Sequence, residues 1–130
     1  MAHGNHLNGI YLYKVYNFTI ENCLAYDNDG TGKETGVYIY KCDNINLTNV
    51  IVKNNYDAII IHDCNNVALV SCQSYDDRET PLQRFGLELI GTITGISLSN
   101  CKLTPNKSGD IYNPAGAVVT VITDKMLAKF

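Results

Sequence analysis

The chain repeats itself, and no other property constrains its fold as much. Four segments align: GIYLYKVYNFTIENCLAYDN (9–28), GVYIYKCDNINLTNVIVKNN (36–55), AIIIHDCNNVALVSCQSYDD (58–77) and GLELIGTITGISLSNCKLTP (86–105), the last with one extra residue before Ile96. Their starts lie 27, 22 and 28 residues apart. A unit of about 22 residues, lengthened twice by a loop, explains this spacing as successive coils of a solenoid.

Within each unit the hydrophobic period is two. Ile10 and Leu12 alternate with Tyr11 and Tyr13, and Phe18 and Ile20 with Thr19 and Glu21. That is strand patterning, filled with the β-branched and aromatic residues that suit a pleated surface. Two or three such strands per unit cannot bury a face alone. Stacking equivalent strands in parallel buries one continuous core.

The inward columns follow: Ile10, Val37, Ile59, Leu87; Leu12, Ile39, Ile61, Leu89; Phe18, Ile45, Val67, Ile96; and Ile20, Leu47, Leu69, Leu98. Asn17, Asn44 and Asn66 fall between the first and second strands, where asparagine tolerates a left-handed bend. Asn22, Asn49, Ser71 and Asn100 form a second polar column. The expected fold is all-β, a right-handed parallel β-helix of four to five coils forming a single domain over 1–130.

After the fourth unit comes a Pro/Asn/Gly stretch, 104–116, then AVVTVI (117–122) as one more strand. Thr123 or Asp124 is a candidate N-cap for a short helix over 123–130 that folds across the last coil. The other end shows no comparable cap. The chain is therefore expected to be part of a longer solenoid or one subunit of a dimer or trimer.

The five cysteines follow the repeat. Cys42 and Cys64 share a column with Val15, and Cys23, Cys72 and Cys101 share another with Val50. They read as reduced, buried small hydrophobes, since stacked inward side chains seldom reach disulfide torsions.

No run of 18 apolar residues suggests a transmembrane helix. A net charge of −3 offers no basic surplus for a nucleic acid.

The outer face of the first strand carries the most unusual composition. Tyr11, Tyr38, Ile60 and Glu88 form one column, and Tyr13, Tyr40, His62 and Ile90 the next. Four tyrosines beside a histidine fit sugar stacking, a subunit contact, or plain cross-strand ladders, and the residues alone leave all three open. Two lengthened loops, 27–35 and 76–85, leave the same corner. Their Asp27, Asp29, Asp76 and Asp77 are candidate Ca²⁺ ligands, and Arg78 and Arg84 candidate partners for a substrate carboxylate. Turn-forming and solvating charges are the plainer reading of the same residues.

Together with NCLAYDNDGTG (22–32) and SCQSYDDRETPLQRFG (71–86), the units over about 9–104 resemble the parallel β-helix repeats of the pectate-lyase superfamily. They are most similar to coils of mannuronan C5-epimerases and phage tail spikes. The resemblance implies a polysaccharide partner, an acidic one, met outside the cell, on a cell envelope or on a virion. It equally implies the alternative of a non-catalytic shaft or cap of a trimeric spike. The epimerase-like signature Tyr-Gly-Phe-Asp-Pro-His-Glu falls on Asp57–Asp63. It implies catalytic roles for His62 and for Asp63 in the glutamate position. Asp57 replaces its tyrosine and Ile60 its aspartate, which leaves catalysis by this chain alone, as lyase or epimerase, unsupported by the motif.

Overall fold

A computed structural model describes residues 2–3, 8–28 and 34–122. The strands are β1 (Ala2–His3), β2 (Asn8–Tyr13), β3 (Tyr16–Glu21), β4 (Leu24–Tyr26), β5 (Thr35–Tyr40), β6 (Asp43–Thr48), β7 (Ile51–Lys53), β8 (Asp57–His62), β9 (Asn65–Val70), β10 (Gln73–Tyr75), β11 (Phe85–Ile90), β12 (Thr94–Ser99), β13 (Gly109–Tyr112) and β14 (Val119–Ile122). Each full coil contributes one strand to each of three sheets, ordered β1-β4-β7-β10, β13-β11-β8-β5-β2 and β14-β12-β9-β6-β3. All pairings are parallel.

The register is the one the repeat dictates. Ile10 pairs with Val37, Val37 with Ile59 and Ile59 with Leu87. In the third sheet Phe18, Ile45, Val67 and Ile96 align. A slip of one residue would turn every apolar side chain to solvent, so the alternation locks the stack. Val37, Ile39, Ile45, Leu47, Ile59, Ile61, Val67, Leu69, Leu87 and Leu89 are all fully buried. Phe18 departs from this. It keeps its column but remains 46% exposed, because β3 is the last strand of its sheet among the described residues and none of these packs on its far side. Val121, at the opposite end of that sheet, is exposed for the same reason.

Two strands lie where none was expected. Residues 109–112, inside the Pro/Asn/Gly stretch, form β13 and begin a fifth coil, and Ala2–His3 pair with β4. The anticipated helix at 123–130 lies outside the described residues.

The corners run through left-handed residues stacked in four columns. They are Lys14, Lys41, Asp63, Gly91; Asn17, Asn44, Asn66, Gly95; Asn22, Asn49, Ser71, Asn100; and Asp27, Asn54. Asn44 donates to Asn17, and Asn49 to Asn22, each at 2.8 Å. All five cysteines are free thiols. Cys64 donates to the carbonyls of Ile39 and His62, and Cys72 to that of Leu47, so the thiols satisfy corner carbonyls as well as filling space.

One polar ladder runs inside the solenoid. Asn28, Asn55 and Gln83 are fully buried. The Asn55 Oδ1 accepts from the Asn28 backbone N–H at 2.9 Å and from its side-chain amide at 3.0 Å. Asn55 donates from Nδ2 to the Ala25 carbonyl, and its backbone N–H donates to Gln83 Oε1. Gln83 passes a bond to Asn106 at 2.7 Å, and Asn106 donates to the carbonyls of Ser74 and Leu103. Every coil thus ties its third corner to the next through a side-chain amide, and the buried carbonyls there are paired.

Candidate functional site

The outer face of the first-strand sheet is built by β2, β5 and β8. Their register places Tyr11 on Tyr38 and Ile60, and Tyr13 on Tyr40 and His62. Ring centroids are 5.6 Å apart for Tyr11–Tyr38, 5.4 Å for Tyr13–Tyr40, 6.2 Å for Tyr38–Tyr40 and 4.5 Å for Tyr40–His62. These spacings suit offset or tilted aromatic contacts. Tyr11 and Tyr13 are 50% and 44% exposed, whereas Tyr38 and Tyr40 are half-buried among their neighbours.

His62 is held from both sides. Its Nδ1 lies 2.8 Å from the Tyr38 hydroxyl and its Nε2 3.6 Å from Asp63 Oδ2. With the imidazole proton on Nε2, facing the carboxylate, the Tyr38 O–H donates to Nδ1. Burial, then the neighbouring Tyr11, Tyr40 and Asp63, raise the Tyr38 phenol above its ordinary value. Tyr38 is therefore a hydrogen-bond donor rather than a phenolate at neutral pH. Asp63 also accepts from the Thr92 N–H at 2.8 Å, which fixes the carboxylate beside the ring.

Toward the third and fourth coils the same face closes. Ile60 is 6% and Glu88 3% exposed. The Glu88 side chain is therefore withdrawn from the surface where the sequence placed it. Arg84 spans Asp57 with two bonds, 2.7 and 2.8 Å, lies 3.7 Å from Glu88 Oε1, and stacks 5.0 Å from the Tyr56 ring. Arg78 is likewise turned to its own chain, with bonds of 2.9 and 2.6 Å to Asp76 and one to the Asn55 carbonyl. Both guanidinium groups are paired with carboxylates of the chain itself.

Asp76 is fully engaged as well. Its oxygens accept from Arg78 and from the backbone N–H groups of Arg78, Leu82 and Gln83. Burial alone would raise this carboxyl, but Arg78 and the Gln83, Leu82 and Arg78 amides outweigh it and hold it at about 2. The carboxylate closes the neck of the 76–83 loop. Asp77 exchanges hydrogen bonds with Asn54, and Asp27 turns a corner. Asp29 lies outside the described residues. Among the described residues no three His, Cys, Asp or Glu side chains converge to hold a metal ion, so the acidic loop residues are not gathered into a Ca²⁺ site there.

Burial, and then the Asp57 carboxylate, push Glu88 up to about 8 against the opposing pull of Arg84. Its Oε2 is buried without a partner, which a neutral acid tolerates far better than a charge. A raised folded-state value means that the folded protein holds a proton the unfolded chain releases. This stabilisation is full below about pH 4.5 and disappears as the pH rises through about 8. Melting temperature should therefore fall across that window, by the equivalent of a few kcal/mol at most. Glu88→Gln keeps the shape without the proton and should flatten the profile. Differential scanning calorimetry across the acidic to mildly alkaline range checks both, and an unchanged slope in the variant would place the titration elsewhere.

Two features escape the sequence pattern. The amide ladder was hidden because asparagine after a strand reads as a turn residue. Its signal was present, since Asn28, Asn55 and Asn106 each follow the inward residue of a third-strand segment (Ala25, Val52, Leu103) by three positions. The second is the pair Lys14 and Lys41 beside the tyrosines, with Nζ 5.2 Å from the rings of Tyr13 and Tyr40. A cavity of about 590 Å³ between the fourth and fifth coils is lined by Leu98, Cys101, Leu103, Ile111 and Val121. It is an open cleft, with Ile111 and Val121 exposed, and is not part of the aromatic face.

Three parallel sheets wound coil on coil, with inward apolar columns and amide-stacked corners, define a parallel β-solenoid. The family model for the right-handed β-helix region matches residues 2–125, and the chain belongs to that family. Neither the curated proteins nor the solved structures contain a significant match.

Proposed function

We propose that the outer face of β2, β5 and β8 binds a polysaccharide, outside the cell or on an envelope or virion surface. The observation that carries this reading is the continuous strip of four tyrosine rings and one imidazole, half open to solvent at Tyr11 and Tyr13. Ring faces of this kind pack on the C–H faces of sugars while their hydroxyls and His62 supply hydrogen bonds. Coils stacked about 4.8 Å apart repeat the strip along the solenoid axis, the direction a polymer would follow. His62 and Asp63 sit at its far end as binding groups first. Turnover by the chain alone is not part of the reading: Asp63 is engaged by His62 and the Thr92 N–H, and Asp57 and Glu88 face Arg84.

Tyr38→Ala/Tyr40→Ala should abolish binding in titration calorimetry with the melting transition still cooperative. Unchanged affinity would refute the reading.

A second reading, a subunit contact in a spike-like shaft, draws on Tyr16 and Phe18. These are 62% and 46% exposed on the end strand of the third sheet, where Phe18 ends its inward column and leaves an apolar end surface. Light scattering separates the two: a monomer near 14.4 kDa keeps the face free for sugar, and a trimer that Tyr11→Ala/Phe18→Ala dissociates assigns it to assembly.

A further inference from the structure

We propose that Cys72 and Cys101 are an oxidisable dithiol: Cys101, on the end cleft, reacts with a peroxide, and Cys72 then closes a disulfide between the third and fourth coils. Neither the aromatic face nor a sugar takes part.

The two thiols stand on adjacent rungs of one column. The Lys102 N–H bonds the Cys72 carbonyl at 2.9 Å, the Ser71 N–H bonds the Ser99 carbonyl at 2.8 Å, and Gln73 bridges Lys102. Rungs lie about 4.8 Å apart, inside the Cα separation that a disulfide spans.

Their place in the stack separates them from the other stacked pair, Cys42 and Cys64. Those two are buried and covered by a coil on each side, through the Asp43 N–H on the Val15 carbonyl and the Thr94 N–H on the Cys64 carbonyl. At the third corner the N–H groups of Ile51, Gln73 and Lys102 bond the carbonyls of Cys23, Val50 and Cys72 in turn, and among the described residues no further rung covers Cys101. Its segment keeps a single bridge to β10 in place of a strand pairing, which leaves room for the torsion that a regular rung forbids. Cys101 is half-buried and lines the cleft of about 590 Å³, whereas Cys72 is fully buried. One thiol meets a small reagent and its partner is shielded. Cys23 is half-buried too, but Val50 stands between it and Cys72.

The pair also divides the two roles. As thiols, Cys72 and Cys101 donate to the carbonyls of Leu47 and Leu69. When Cys101 ionises, the Cys72 S–H turns to its sulfur. That bond lowers the Cys101 thiol to about 6 and, with burial, raises Cys72. A lowered thiol is the nucleophile, and a raised one keeps its proton until the first has reacted.

The chemistry balances with hydrogen peroxide as the oxidant. The Cys101 thiolate attacks one peroxide oxygen, the O–O bond breaks, and hydroxide leaves and takes up a proton as water. Sulfur is oxidised to the sulfenic acid, and the peroxide is reduced. The Cys72 sulfur then attacks the Cys101 sulfur. The S–S bond forms, the S–O bond breaks, and the hydroxyl leaves with the Cys72 proton as a second water.

The test exposes the folded full chain to hydrogen peroxide, alkylates the remaining thiols after unfolding and sequences the peptides by tandem mass spectrometry. Two of the five thiols should be lost, joined as Cys72–Cys101, and dithiothreitol should restore all five. Cys42 and Cys64 should still be alkylated. Cys72→Ala should stop the reaction at a Cys101 sulfenic acid that dimedone traps, and Cys101→Ala should leave Cys72 reduced. The wild-type map decides alone if a variant fails to fold. No bridged peptide, a bridge between any other pair, or a bridge only between chains overturns the proposal.

Discussion

Asn55→Leu should cost roughly 3–5 kcal/mol and leave the protein partly unfolded at room temperature, although the new side chain is apolar and close in volume. The removed amide is the central rung of the internal ladder. Without it the Asn28 backbone N–H and the Ala25 carbonyl lose the bonds that Asn55 gives them at fully buried positions, while the Asn28 amide keeps its bond to the Ala2 carbonyl. Each orphaned buried group carries about 1–3 kcal/mol of desolvation. Asn49→Gly, which keeps the left-handed backbone at that corner, is the contrast. It removes an amide of the same kind, bonded to Asn22 on the exposed corner, where water takes over, and should cost about 1 kcal/mol or less. Chemical denaturation of the two variants side by side makes the comparison, and equal costs would mean that the interior amides are no more than space-fillers.

Gly36→Ala has the second large effect, about 2–3 kcal/mol from overpacking. A Cβ there would stand 2.4 Å from the Val52 Cγ1, 2.7 Å from the Asn55 amide nitrogen and 3.0 Å from the Ala58 carbonyl. The molecule already holds a partial solution one coil on. There Ala58 occupies the equivalent position, and the third-strand residue aligned with Val52 is Ser74. Its hydroxyl bonds the Gly86 carbonyl at 2.6 Å. Copying this pair, Gly36→Ala with Val52→Ser should be less unstable than the two single costs added, with a coupling of about 1 kcal/mol. Strict additivity would show that the clash with Asn55 and the backbone, rather than with Val52, sets the penalty.

The columns were legible because strand parity and repeat length act together. Once Ile10, Val37, Ile59 and Leu87 are aligned, every neighbour's face is fixed. The outer aromatic column came with them at no further assumption. The loops were not legible. Which cation meets which carboxylate depends on how 76–85 returns to the coil, and Arg78 and Arg84 find Asp76 and Asp57, two and 27 positions away. Glu88 was placed on the correct face, but its burial depends on what Arg84 brings over it. β13 was hidden because Gly109 and the flanking prolines and asparagines mark turns, while its pairing with β11 is supplied by the stack itself.

The Asp76 clamp sets how this chain can change over evolutionary time. One carboxylate gathers the amides of residues 78, 82 and 83, so the loop leaves and rejoins the coil through a fixed gate. Residues 79–81 beyond it are decoupled from the register of the strands. New segments grafted there would lengthen or re-dress that surface without moving any rung, and selection could remodel one corner while the scaffold stayed constant.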